Sequence, residues 1–74
     1  MSREEEITRF IAFCIEQYKR RHGGDGEHVY DRLSEAGALS FLSEHFDVEH
    51  CLDPDQITDD IDRIVARKIG EVVQ

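Results

Sequence analysis

The sequence predicts an all-α fold, a compact four-helix domain occupying residues 1–74, and three observations predict it. The block Phe10-Ile11-Ala12-Phe13-Cys14-Ile15-Glu16-Gln17-Tyr18-Lys19 is apolar around more of a helix than one packing face requires. At about 100° per residue, Ile7, Phe10, Ile11, Cys14, Ile15 and Tyr18 form a stripe, and Phe13 widens the apolar arc to roughly 200°. Ser2 with Glu5 at its start and Gly23-Gly24 after a basic run at its end give that block matching start and stop signals. Towards the other end, Asp53-Pro54-Asp55-Gln56 opens a second long amphipathic stretch.

The first helix is expected over residues 2–22. Ser2 and Glu5 have capping-box spacing, Glu4, Glu5 and Glu6 sit at the positive end of the helix dipole, and Lys19 to His22 sit at its negative end. Asp25 is placed to cap a short second helix over 26–36, with Val29, Tyr30 and Leu33 inward and Gly37 as terminator. A third, over 38–46, offers Leu39, Leu42 and Phe46 on one side and Phe41 with His45 on another. Phe46, Val48 and Leu52 then alternate with polar residues, apart from a break at His50, so residues 47–52 read as an extended connector over the core. The last helix is expected over 54–69: Asp53 caps it, Pro54 takes the first position where a missing N–H is harmless, and Gln56 completes the box. Leu52 and Ile57 have staple spacing, Ile57, Ile61, Ile64, Val65 and Ile69 form one face, and Gly70 marks the end. The two long helices should pack together, with the short pair covering the remaining sides of the first.

Seventeen acidic against nine basic residues give a formal charge of −8, which repels phosphate backbones and argues against nucleic-acid binding. The one cationic run, Lys19-Arg20-Arg21-His22, lies where a helix end favours cations without any ligand. No apolar run approaches the roughly 20 residues that cross a bilayer, so no membrane role is expected. The acidic N-terminus lacks the pattern of a secretory signal, and two cysteines make no disulfide framework, which together point to the cytoplasm. At 74 residues the core must be small, and a partner or a second copy would add stability.

Phe10 to Lys19, Val29-Tyr30, Gly37, Phe46-Asp47-Val48-Glu49-His50 and Asp60-Ile61, in that order and spacing, resemble the bacterial family called domain of unknown function 3791. The likeness runs from Ile7 to Ile64. It implies no established activity. It does imply a small stand-alone bacterial protein, often encoded beside a larger one that looks like an ADP-ribosyltransferase, and hence a partner-binding or antitoxin-like role. The chain departs from the family pattern at Glu49, where leucine is more typical, and at Cys51, where threonine usually follows the histidine, so the connector is expected to be less buried here.

Candidate chemistry is sparse. His45, His50 and Cys51, with Asp47, Glu49 and Asp53 nearby, include zinc-ligand types, but their spacing matches no established site. His50 and Asp47 are instead expected as structural polar groups, His50 satisfying backbone groups along the connector. A Cys51–His50 nucleophile pair lacks an oxyanion hole, and neighbours on an extended segment point to opposite faces. The aspartates after Cys51 lack the glycine and final glutamate of a calcium loop. Gly23-Gly24-Asp25-Gly26 opens a helix as phosphate loops do, yet follows a helix, lacks the lysine, and carries Asp25 to repel phosphate. No catalytic, cofactor or metal residue is therefore assigned, and the chain is read as a non-enzymatic interaction module. Phe13, Tyr18, Tyr30 and Phe41 are its candidate apolar contacts, and Glu16 and Asp60 the polar ones. Phe13 is either a second core edge or an exposed contact. The alternative is a homo-oligomeric structural protein in which the first or last helix pairs with its symmetry mate.

Overall fold

Burying one stripe of an amphipathic helix requires other helices to lie against it, and that requirement organises this chain. A computed structural model describes residues 2–73, and side chains over residues 2–70. The described residues form five helices and no strand: α1 (Arg3–His22), α2 (Gly26–Ala36), α3 (Ala38–Glu44), α4 (Phe46–Glu49) and α5 (Pro54–Val73). In α1 the Ser2 hydroxyl accepts from the Glu5 N–H at 3.2 Å, and the Gly23 N–H closes the other end on the Lys19 carbonyl at 2.7 Å. Gly23 takes a left-handed φ of 81°, which a residue with a Cβ adopts only at a cost. Phe10, Cys14 and Tyr18 are buried along α1, with Ile7, Ile11 and Ile15 partly buried beside them. This stripe packs against α2, α3 and α5.

Asp25 caps α2 by accepting from the His28 N–H at 3.0 Å. Gly37, at φ 83°, ends α2 and begins α3: its N–H reaches back to Ser34 at 3.1 Å and its carbonyl accepts from Phe41 at 3.1 Å. One left-handed residue thus turns the chain between two helices, bringing Val29 and Leu33 of α2 and Ala38 and Leu42 of α3 into one core. Tyr30, expected inward, lies outside the Val29–Leu33 stripe and is 50% exposed.

The expected extended connector is corrected. Residues 46–49 form the helical turn α4, and the turn continues through Leu52: the N–H groups of Glu49, His50, Cys51 and Leu52 bond to carbonyls three or four residues back. With no strand to pair with, a buried backbone satisfies itself locally, and a helical turn does so. The third helix accordingly stops at Glu44, and Phe46 belongs to α4. Helical spacing places Phe46 and Glu49 inward and leaves Val48 62% exposed, so the alternation of Phe46 and Val48 carried no structural meaning. Within this segment Glu49 is 4% exposed, whereas Cys51 is open to solvent.

α5 begins as its residues dictate. The Gln56 amide oxygen accepts from the Asp53 N–H at 3.2 Å, and the Ile57 N–H bonds to the Asp53 carbonyl at 3.0 Å. Ile57, Ile61 and Val65 are buried, with Leu52 and Ile64 packed against them. The helix runs through Gly70 to Val73 rather than ending at Ile69, because Gly70 keeps an ordinary helical φ. Glycine permits a left-handed stop without imposing one. Past the core, Ile69 is exposed.

Ion pairs tie the ends of α1 to the rest. Arg21 sets one guanidinium nitrogen 2.7 Å from Asp59 and 3.0 Å from Asp62, and His22 Nε2 lies 2.7 Å from the other Asp62 oxygen. At the opposite end Arg3 meets Asp47 at 3.1 Å and lies 5.7 Å from the centre of the Phe46 ring. Phe46 stands edge-on to Phe10 at 5.5 Å and stacks on His50 at 4.5 Å, joining α4 to the α1 core.

Candidate functional site

The sequence-derived contact residues do not form one surface. Tyr18 is 4% exposed and belongs to the core, where its position on the Phe10–Cys14 stripe puts it. Phe13, off that stripe, is 41% exposed. Glu16 is exposed and 3.3 Å from Lys19 one turn away, and Phe41 is partly buried with its ring 4.7 Å from that of His45. Tyr30 alone of these lines a surface groove of about 390 Å³ between α1, α2 and α3, where it meets Ile11, Leu39, Ser40, Ser43 and Glu44. Ile11 and Leu39 read in sequence as core stripe; being only partly buried, they also give the groove an apolar lining.

The most unusual polar group is Glu49, which sequence reasoning counted among possible zinc-ligand types and as a departure from the family's leucine. It projects inward from α4 with its Oε1 buried and without a hydrogen-bond partner. Burial first, and then the neighbouring Asp60 carboxylate, push the Glu49 carboxyl up to about 7, against the opposing pull of Arg63. Arg63 holds that Asp60 carboxylate at 3.0 Å. On the α1 side, burial and the Glu49 charge push the Cys14 thiol up to about 12. A carboxyl so placed exchanges a proton near neutral pH and changes the charge inside the core when it does.

His50 and Asp47 serve the turn. His50 Nδ1 lies 2.5 Å from the Phe46 carbonyl, and the Cys51 thiol donates to the Asp47 carbonyl at 3.5 Å. Because the segment is a turn rather than extended, Cys51 Sγ approaches His50 Nε2 to 3.7 Å instead of pointing away from it. Arg3 holds the Asp47 carboxyl below the usual carboxylate range. Among the described residues no three His, Cys, Asp or Glu side chains are grouped to hold a metal ion, and no helix is long and apolar enough to cross a membrane.

The segment carrying the groove, Glu49 and Asp60 matches a family model described as Protein of unknown function (DUF3791), over residues 9–68. The chain belongs to this family. The DUF3791 match takes in α1 from Arg9, all of α2 to α4, and α5 as far as Lys68, so the whole buried core lies within it. No curated protein and no solved structure matches the chain.

Proposed function

We propose that this chain is a non-enzymatic protein-interaction module, acting in a bacterial cytoplasm by covering a surface of a larger protein and regulating it as an antitoxin does. The observation that carries the reading is Tyr30, half exposed at a groove with an apolar lining of Ile11 and Leu39. A tyrosine beside a groove of mixed apolar and polar lining offers large contact area at little entropic cost, as interface anchors do. Phe13, Phe41, Glu16 and Asp60 lie off this groove, and the contact proposed centres on Tyr30. A net charge of −8 steers the module towards a basic face, with an association rate that falls as salt rises. The ADP-ribosyltransferase-like neighbour implied by the family resemblance is the first partner to test, with its nucleotide cleft as the basic face.

Co-expression of the chain with that neighbour should yield a complex stable to gel filtration. Tyr30→Ala should weaken it about tenfold or more while leaving the thermal melt unchanged. Absence of any complex ends this reading. The homo-oligomeric alternative draws on Ile69, exposed on the part of α5 that runs past the core. Light scattering separates the two: a mass that stays at one chain across concentrations removes the oligomer.

A further inference from the structure

Between the end of α1 and the start of α2 lies a pocket of about 200 Å³, lined by Tyr18, His22, His28 and Arg32 and by the Gly23-Gly24 turn. Tyr18 is more than nine-tenths buried, yet no described residue hydrogen-bonds its hydroxyl. Glu49 Oε1 is the one fully buried side-chain oxygen or nitrogen without a partner among the described residues, so the Tyr18 hydroxyl is not fully enclosed, and Tyr18 lines this pocket. A hydroxyl held in that way is left for a ligand to satisfy.

Both imidazoles are fixed by carboxylates through one ring nitrogen. His22 uses Nε2 on Asp62 at 2.7 Å, and His28 uses Nδ1 on Asp25 at 2.6 Å. Their other ring nitrogens carry no partner among the described residues; with one nitrogen on a carboxylate, the second is an N–H donor in the imidazolium form and an acceptor in the neutral one. Each carboxylate's charge is partly offset by its own partners. Asp62 is shared with Arg21 at 3.0 Å, and Asp25, which in the sequence argues against phosphate, turns one oxygen to the His28 N–H and the other to its ring. Arg32 makes no ion pair among the described residues, although the chain has nearly twice as many acidic as basic side chains. α2 adds the positive end of an 11-residue helix.

We infer that this pocket, lined by Tyr18, His22, His28 and Arg32 beside the Gly23-Gly24 turn, binds the phosphate group of a small ligand with its imidazoles in the imidazolium form. A guanidinium alone satisfies a carboxylate. Donors converging from two helices and a turn suit a tetrahedral ion with several oxygens. The volume lies below the roughly 300 to 1,000 Å³ of pockets that enclose whole drug-sized molecules, so it admits one group and leaves the remainder of the ligand outside.

Inorganic phosphate titrated into the ¹⁵N-labelled chain at constant ionic strength tests this by NMR. Saturable shifts confined to Gly23, Gly24 and the α2 start are expected, together with movement of the His22 and His28 ring signals. Arg32→Ala should weaken binding about tenfold or more, and Tyr18→Phe, which keeps the ring in the core, about threefold to tenfold with an unchanged melt. A parallel titration with phosphoserine identifies the source. Equal or tighter binding means a carried phosphate; saturation by inorganic phosphate alone means the free ion. The inference is overturned if the shifts do not saturate, if chloride reproduces them, or if Arg32→Ala binds phosphate as the parent does.

Discussion

Glu49 concentrates the chemistry of this protein in one side chain. A carboxyl whose folded-state value rises from the ordinary 4.5 to about 7 is protonated in the native chain and ionised in the unfolded chain between those limits. The folded state therefore binds the extra proton. Its contribution is fully present below about pH 4.5, shrinks as pH rises, and is gone above about pH 7. The stability lost over that interval is of order 3 kcal/mol, comparable to the whole stability of a domain this size. Glu49→Gln keeps the shape and removes the ionisation, so it should match the parent at pH 5 and exceed it at pH 8, with urea midpoints followed by circular dichroism as the measurement. A parent and variant whose midpoints move in parallel from pH 5 to pH 8 would show that this carboxyl does not titrate in the core. The one signal for the burial of Glu49 is the leucine that the family resemblance makes typical at this position, although the same departure also reads as a reason for exposure. An acidic residue beside Asp47 and Val48 reads as solvated, and only the turn geometry, which sets Glu49 one helical turn after Phe46, carries it inward.

The helices and turns differ in how far they can be read from residues alone. Caps at Ser2 and Asp25, and the Gln56 amide oxygen on the Asp53 N–H, are legible because each needs only groups within three residues of one another. The same locality makes Gly37 legible as a turn. Gly37→Ala forces a Cβ into a left-handed backbone at φ 83° and should cost about 1 kcal/mol or more, read as a lowered melting temperature. The stretch after Phe46 was not legible, since four apolar or neutral positions fit alternation and helical spacing equally until the core selects between them. Gly70 misled for a related reason: its stop signal needs tertiary support that α5 does not receive. Pairing between α1 and α5 through Arg21 also lies beyond local pattern, because Asp59 and Asp62 are far away in the chain. Arg21→Ala should lower the melting temperature at low salt, with the deficit shrinking in 1 M sodium chloride as screening removes what the arginine had supplied.

One small core holds the entire molecule together. Leu33, Leu42, Ile57, Ile61 and Cys14 are its most deeply enclosed side chains, contributed by four different helices, so no helix keeps its buried face if another leaves. Leu42→Ala, at a cost of about 2 to 5 kcal/mol, approaches or exceeds the roughly 3 to 5 kcal/mol that a domain of this size can muster. The variant should be largely unfolded at 25 °C by circular dichroism, and a cooperative melt near that of the parent would show a second source of stability. The all-helical class, the two long helices and the apolar stripe of α1 are readable from periodicity. Which apolar groups stay outside is not, because Phe13, Tyr30 and Ile69 share residue types with the interior.

The two thiols have opposite fates in this architecture. Cys51 is open to solvent, whereas Cys14 lies at 0% exposure with its proton held to about pH 12. An alkylating reagent reacts with thiolate, so it should mark Cys51 at once and wait for the helices to part before touching Cys14. Two mass increments, separated in time, would clock the opening of the native protein without any engineered probe.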